Sequence, residues 1–289
     1  MRLRLALPLS VLALLLGGCV MIVNRAGESL ASQLGAAVLN SDDPATVRDG
    51  LPAYLLLLDG MIEGQKPGEK GGASLLFAAA ELNGSYAGNF VGDDAARAQR
   101  MARKALDYAR RGICLQQRAI CDALDGDVET FEAAVAAANA DATPALYAMA
   151  AAWAGYVQVN RDDWAAIADL PKIEALLLRV VELDPQHARG LPYVYLGVLN
   201  SLRPEAVGGK PEQGRAYFER AIALSDGRNL YAKTLMAEFY TRLVFDQDLH
   251  DRLLGEVLAA DPKAPDYTLI NVLAQQRASE LLESGKDFF

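Results

Sequence analysis

The stretch from Leu170 to Ala260 restricts the fold more than any other part of the chain. It consists of helical segments that return to the same punctuation. Asp169-Leu170-Pro171 opens a helix that closes at Glu182-Leu183-Asp184-Pro185, and a second helix carries Tyr195-Leu196-Gly197. A third opens at Pro211 and closes at Ala223-Leu224-Ser225-Asp226-Gly227, and two more follow, ending at Ala259-Ala260-Asp261-Pro262. Ile173, Leu176, Leu177, Val180 and Val181 match the i, i+3, i+4, i+7, i+8 template of a one-sided apolar helix. Leu191, Tyr195, Val198, Leu199 and Leu202 keep one face of the next helix, and Ala232, Leu235, Met236, Phe239 and Leu243 do so again. Helix pairs of this kind bury their apolar stripes only by stacking pair on pair, which builds an array with an extended surface. Such arrays bind partners more often than they transform substrates.

Asp184-Pro185 and Asp261-Pro262 lie 77 residues apart, or about two periods of 38, against about 34 for a tetratricopeptide unit. The glycine- and proline-containing loop Arg203 to Lys210 accounts for the surplus. The expectation is an all-α fold: stacked helical hairpins, degenerate tetratricopeptide-like repeats forming a compact α-solenoid of about four pairs. Composition agrees. Alanine and leucine dominate, runs of valine, isoleucine and threonine are scarce, and 52% hydrophobic residues in 289 suffice for a large core. The formal charge is −9, and loss of Arg2 and Arg4 with a cleaved leader would take it to −11. A chain this acidic carries no electrostatic footprint for nucleic acid or anionic lipid.

The N-terminus sets the expected compartment. Arg2 and Arg4 precede an apolar run from Leu5 to Leu16, too short for a stable membrane span. The run ends in Leu16-Gly17-Gly18-Cys19, which resembles the bacterial lipobox. Residues 1–18 read as a lipoprotein signal peptide, Cys19 as the lipidated first residue, 19–27 as a tether and 28–289 as the helical-repeat domain. Two or three acyl chains hold a protein on a membrane essentially permanently. Val20 after the cysteine, where aspartate would retain the protein on the inner membrane, favours the periplasmic face of the outer membrane. With Cys19 used for lipid, Cys114 and Cys121 remain as an even pair in an oxidising compartment, and a disulfide is expected over free thiols. Seven positions along one straight helix would separate their Cα atoms by about 10 Å, so a bridge requires the backbone to turn between them.

Chemistry leaves few marks. His187 and His250 have no second histidine or cysteine at ligand spacing and read as surface or capping residues, so neither a metal nor a cofactor is expected. No nucleophile elbow, zinc-protease helix or phosphate loop occurs, and no catalytic residue is assigned. Asp42-Asp43, Asp93-Asp94 and Asp162-Asp163 stand at helix starts, where capping explains them. Asn83, Tyr86, Asn89 and Phe90 fall together on an apolar helix of about Ala73 to Val91. Trp153, Tyr156 and Asn160 do so on one of about Thr143 to Asn160. Packing with satisfied amides is the simpler reading; as candidate lining of a ligand groove or pore, these seven residues are the functional one.

Several runs resemble one family, the T component of TRAP-type transporter systems. They are Gly50-Leu51-Pro52-Ala53-Tyr54-Leu55-Leu56-Leu57-Leu58-Asp59-Gly60, Ala80-Glu81-Leu82-Asn83-Gly84-Ser85-Tyr86-Ala87, Tyr195-Leu196-Gly197-Val198-Leu199 and Gly209-Lys210-Pro211-Glu212. Arg242-Leu243-Val244-Phe245-Asp246-Gln247-Asp248-Leu249-His250 and Ala259-Ala260-Asp261-Pro262 extend the likeness over nearly the whole mature chain. The resemblance implies a periplasm-facing lipoprotein with cryptic tetratricopeptide repeats. It implies a homotrimer with a central pore that docks the transporter's periplasmic solute-binding protein and passes a small ligand, hydrophobic ones included. It carries no catalytic motif. The alternative is a structural lipoprotein that scaffolds an envelope or outer-membrane assembly complex.

Overall fold

The computed structural model describes residues 33–65 and 72–289; the leader, Cys19 and the tether at 19–27 lie outside them. Among the described residues every regular element is a helix. After α1 (33–39) come α2 (Pro44–Glu63), α3 (Gly72–Phe90), α4 (Ala95–Gln116), α5 (Arg118–Ala123), α6 (Val128–Ala136) and α7 (Thr143–Val159). Then follow α8 (Trp164–Ala168), α9 (Leu170–Leu183), α10 (Leu191–Asn200), α11 (Pro211–Leu224) and α12 (Leu230–Leu235). A π-helical turn, Met236–Thr241, joins α12 to α13 (Arg242–Val244), and α14 (Gln247–Ala259) and α15 (Thr268–Phe288) complete the array.

The acid pairs start helices as capping requires. Asp43 accepts from the backbone N–H groups of Ala45 and Thr46, Asp94 from Arg97 and Asp163 from Ala165, each satisfying donors that the first turn leaves unpaired. Successive hairpins α3/α4, α7/α9 and α10/α11, then α12–α13 with α14, stack in sequence order. The structure is an all-α helical solenoid. Two large apolar clusters run through it. One is centred on Phe131, Leu146, Met149 and Leu176, the other on Phe218, Leu254 and Leu281. Glycine permits a close crossing: a Cβ on Gly197 of α10 would sit 2.8 Å from the Phe218 ring of α11.

The array closes on itself. Leu269 of α15 is buried with Val47, Leu51 and Leu55 of α2 and Tyr86 of α3. Asn40 accepts from the Asp266 backbone N–H at 2.8 Å, and Lys263 pairs with Asp42 at 2.9 Å. Asn271 of α15 anchors the seam's loops: its Oδ1 accepts from Leu230 N–H, and its amide donates to the carbonyls of Arg228 and Pro262. The chain therefore forms a ring of helices, with α3, α7, α10 and α12 each touching the next, α12 meeting α15, and α15 returning to α2.

Three sequence expectations meet a different arrangement. His250 is fully buried, packed against Phe289 and Gly285, because α14 packs against the end of α15. In α12 the π turn inserts an extra residue and rotates the buried face onto Met236, Ala237, Tyr240 and Thr241, leaving Phe239 and Leu243 only half-buried. The α10 stripe is only half-buried: Leu191, Tyr195, Val198 and Leu199 pack against the edges of the apolar clusters, and Leu202 is exposed. The buried side of that helix carries Pro192, Val194, Leu196 and Gly197 instead. Cys114 ends α4, the backbone breaks at Gln117 (φ −127°, ψ 73°), and Cys121 of α5 folds back to a Cα–Cα distance of 4.8 Å, where the two are disulfide-bonded.

Truncating the seam residue, Leu269→Ala, is expected to lower unfolding free energy by about 2–3 kcal/mol in urea titration, through lost burial and an uncollapsed cavity. Reduction of the Cys114–Cys121 bridge is expected to cost about 2 kcal/mol in the same assay, the amount a short closed loop contributes through unfolded-state entropy.

Candidate functional site

The seven candidate lining residues do not converge. Asn83 is 1% exposed and donates its amide to Ala79 O within its own helix; Asn89 is exposed and does the same to Ser85 O. Tyr86 belongs to the closure seam, its ring 5.7 Å from that of Phe90 at a tilt of 41° and covered by the Arg97 guanidinium. Trp153 is buried. It meets the Phe131 ring edge-on and donates Nε1–H to Asp169 at 3.2 Å, beside the buried Lys172. The Lys172 ammonium donates to the carbonyls of Leu124 and Gly126, clamping the α5–α6 turn. Tyr156 accepts from Arg103, and Asn160 donates back to Tyr156 O. Each of these amides has a protein partner.

A different set of side chains converges on the inner face of the ring. Glu81 of α3, Tyr147 of α7, Tyr195 of α10 and Tyr231 of α12 are near enough that the charge or ionisation of one opposes ionisation of the next. The Tyr147 and Tyr195 ring centroids are 6.4 Å apart, inclined at 70°, and His187 meets Tyr147 edge-on at 5.1 Å. The stripe that sequence periodicity assigns to packing in α10 is this inward face, with Tyr195 at its middle.

Charge is nearly absent here. Glu81 is the single charged residue in α3, α7 and α10 taken together. Its side chain is exposed to water within the ring yet surrounded by protein, and it makes no hydrogen bond or ion pair with the described residues. Enclosure alone pushes its carboxyl up to about 7, because desolvation penalises the charged form with no cation to offset it. Burial and the Glu81 charge raise the Tyr195 phenol to about 12. Burial, with neighbouring Tyr195, also raises Tyr147 and Tyr231. His187 is lowered by burial despite Asp184 at 3.6 Å.

The nearby cations are engaged elsewhere. Arg277 grips Glu238 with both arms and reaches Glu280. Arg189 faces Asp266 at 3.7 Å and lies over the Tyr267 ring, in a shallow cleft shared with Arg228. Sequence reasoning missed Glu81 as a site residue, although a lone acid in three otherwise uncharged helices is a signal visible in the sequence. Among the described residues no group of three or more histidine, cysteine or acidic side chains is placed to hold a metal, and no helix is long and apolar enough to cross a membrane.

The molecule is thus an all-α helical-array protein whose ring encloses a mostly uncharged, tyrosine-rich face. The model of the TRAP transporter T-component matches residues 40–289, and the chain belongs to that family. No curated protein sequence matches it.

The raised Glu81 pKa has a sign. Unfolded, the carboxyl titrates near 4.5; folded, near 7, so its protonated form favours the folded state and that contribution is lost as pH rises through about 7. Relative to Glu81→Gln, the wild-type melting temperature is expected to fall between pH 4.5 and 7.5 and to level off above; a flat difference would show that Glu81 titrates normally.

Proposed function

We propose that the protein is a periplasm-facing lipoprotein, anchored through Cys19, that serves a TRAP-type uptake system by docking its periplasmic solute-binding protein. The family match over residues 40–289 carries this reading. The ring supports a second element of it, the passage of a small solute along the enclosed face that Glu81, Tyr147, Tyr195 and Tyr231 share. Assembly into a homotrimer has support in α2. Leu56 (71% exposed), Leu57 (58%) and Met61 (51%) form an outward apolar strip of the kind that soluble monomers rarely leave uncovered. No catalytic step is part of this function.

The test is direct. Mature protein beginning after residue 19 is expected to elute as a trimer by light scattering and to retain a TRAP-type solute-binding protein from the same organism. Charged substitution of Leu57 is expected to release monomer. A strict monomer that does not retain that binding protein would instead support the envelope-scaffold reading.

A further inference from the structure

The geometry points to an anion site on the closure seam, a cleft in which Arg189 and Arg228 receive a phosphate monoester group. The site lies apart from the inward face of the ring. It goes beyond the transporter reading and does not depend on it.

The loops before α10, α12 and α15 meet at a cleft of about 240 Å³. Its lining includes Arg189 and Arg228, the Tyr267 ring, Asp266, and the apolar Leu224 and Pro265. Both guanidinium carbons lie over the Tyr267 ring, 5.7 and 5.9 Å from its centroid, and Tyr267 itself is buried. One fixed ring thus brings two positive groups to the same cleft. Both arginines keep donors to spare. The Arg189 side chain makes no hydrogen bond with the described residues, and its ion pair with Asp266 spans 3.7 Å, beyond hydrogen-bond length. Arg228 gives its Nε–H to Ser225 O at 3.0 Å, while its Nη2 comes only to 3.7 Å from Asp226, an acid whose side chain is 86% exposed. By contrast, Arg179, Arg215 and Arg277 close their ion pairs at 2.6 to 2.8 Å.

The backbone around the cleft is unusual. Of the five non-glycine residues with positive φ among the described residues, four stand in these three loops: Ala188 (46°), Arg189 (57°), Asp226 (51°) and Asp266 (68°). Left-handed backbone is unfavourable for a residue with a Cβ, persists only where its surroundings over-determine it, and gathers at ligand sites. The surroundings here do so. Gly190 (φ 82°) lets the first loop close on α11, where an added Cβ would lie 3.1 Å from Leu224. The buried Asn271 donates to Arg228 O and Pro262 O and so fixes the other two. The loops that carry both arginines are held in place before any ligand arrives, which removes part of the cost of binding.

The donor set selects the ligand. A carboxylate is satisfied by one guanidinium fork and would leave the second arginine as it is. A phosphate monoester has three terminal oxygens and close to two negative charges near neutral pH, so it can take a fork from each arginine. Seating it turns both guanidiniums from acids that they do not reach at hydrogen-bond length to oxygens that they do. A cation would meet two positive groups. The chain's charge of −9 repels anions from the rest of its surface, so the site is local and differs from the extended basic footprint that recruits a protein to an anionic membrane.

Titration calorimetry on the mature protein at low ionic strength, with inorganic phosphate, glycerol 3-phosphate and acetate, tests the site. Phosphate and glycerol 3-phosphate are expected to bind, with acetate at least about tenfold weaker. Arg189→Gln and Arg228→Gln should each lose about tenfold in phosphate affinity while keeping the melting transition. Asp266→Asn should tighten binding about threefold by removing a competing acid, an effect that a merely structural role for the cleft would not produce. Arg118→Gln, at an exposed ion pair outside the cleft, should leave affinity unchanged. Flotation with phosphatidic acid vesicles, against phosphatidylcholine vesicles, then separates the sources of the phosphate. Capture that Arg228→Gln abolishes assigns a lipid headgroup, and no capture assigns a soluble ester. No binding of phosphate or glycerol 3-phosphate at millimolar concentration, acetate binding as tightly as either, or an equal loss in Arg118→Gln would each overturn the proposal. The first two outcomes rest on wild-type protein, so a misfolded variant leaves the test decisive.

Discussion

Burial of Leu269 against α2 and α3 is the contact on which the rest of the structure depends. In an open solenoid each repeat touches only its neighbours, and both faces of the array see bulk water. Here the last long helix returns to the first hairpin, held by Leu269, by the Asn40–Asp266 hydrogen bond and by Asn271, which ties the loops before α12 and α15 to that helix. Closure converts one face of the array into an enclosed surface. Glu81 shows the consequence. It stays accessible to water, yet the surrounding helices weaken its hydration enough to move its titration to about 7.

Closure also sets what the inner helices can be made of. Side chains pointing into a narrow ring must be small or planar. The inward side of α3 runs Ser74, Ala78, Glu81, Ser85, and α10 and α12 contribute Tyr195 and Tyr231. Outside, the same helices pack by alanine and glycine, as where Gly197 of α10 admits the ring of Phe218. Charge is displaced to the rim and the outer layer, where acids cap helices and arginines lie over Tyr156 and Tyr240. The uncharged interior and the acidic exterior are two sides of one arrangement.

Much of the helical order was legible in the sequence because it depends on local chemistry. Asp43, Asp94 and Asp163 cap where acids at helix starts should, and Ile173, Leu176, Leu177 and Val180 are fully buried as their spacing requires. The inner face was harder to read. Leu191, Tyr195, Val198, Leu199 and Leu202 have the periodicity of a core stripe, and periodicity reports only that one side of a helix avoids bulk water. A ring interior meets that condition as well as a core does. The two are told apart by the return of α15 to α2, a contact between residues more than two hundred positions apart, which no local pattern contains. The π turn at Met236–Thr241 is hidden for a related reason: one extra residue changes the buried face while leaving composition unaltered.

Asn83 and Glu81 show how a polar residue on an apolar helix divides into two cases. The Asn83 amide satisfies itself on Ala79 O one turn back, so its burial costs little and it has no need of a ligand. A carboxylate cannot do this, because it has no proton to give the preceding carbonyl and no unpaired N–H lies in a helix interior to receive. Glu81 therefore keeps its charge only at the expense of hydration, or gives it up to a proton. An acid held in that state contributes nothing to packing that glutamine would not, and it makes the ring less stable near neutral pH. Asn83, two positions along the same helix, avoids that conflict through its own backbone bond, whereas Glu81 is left to the water on its exposed side.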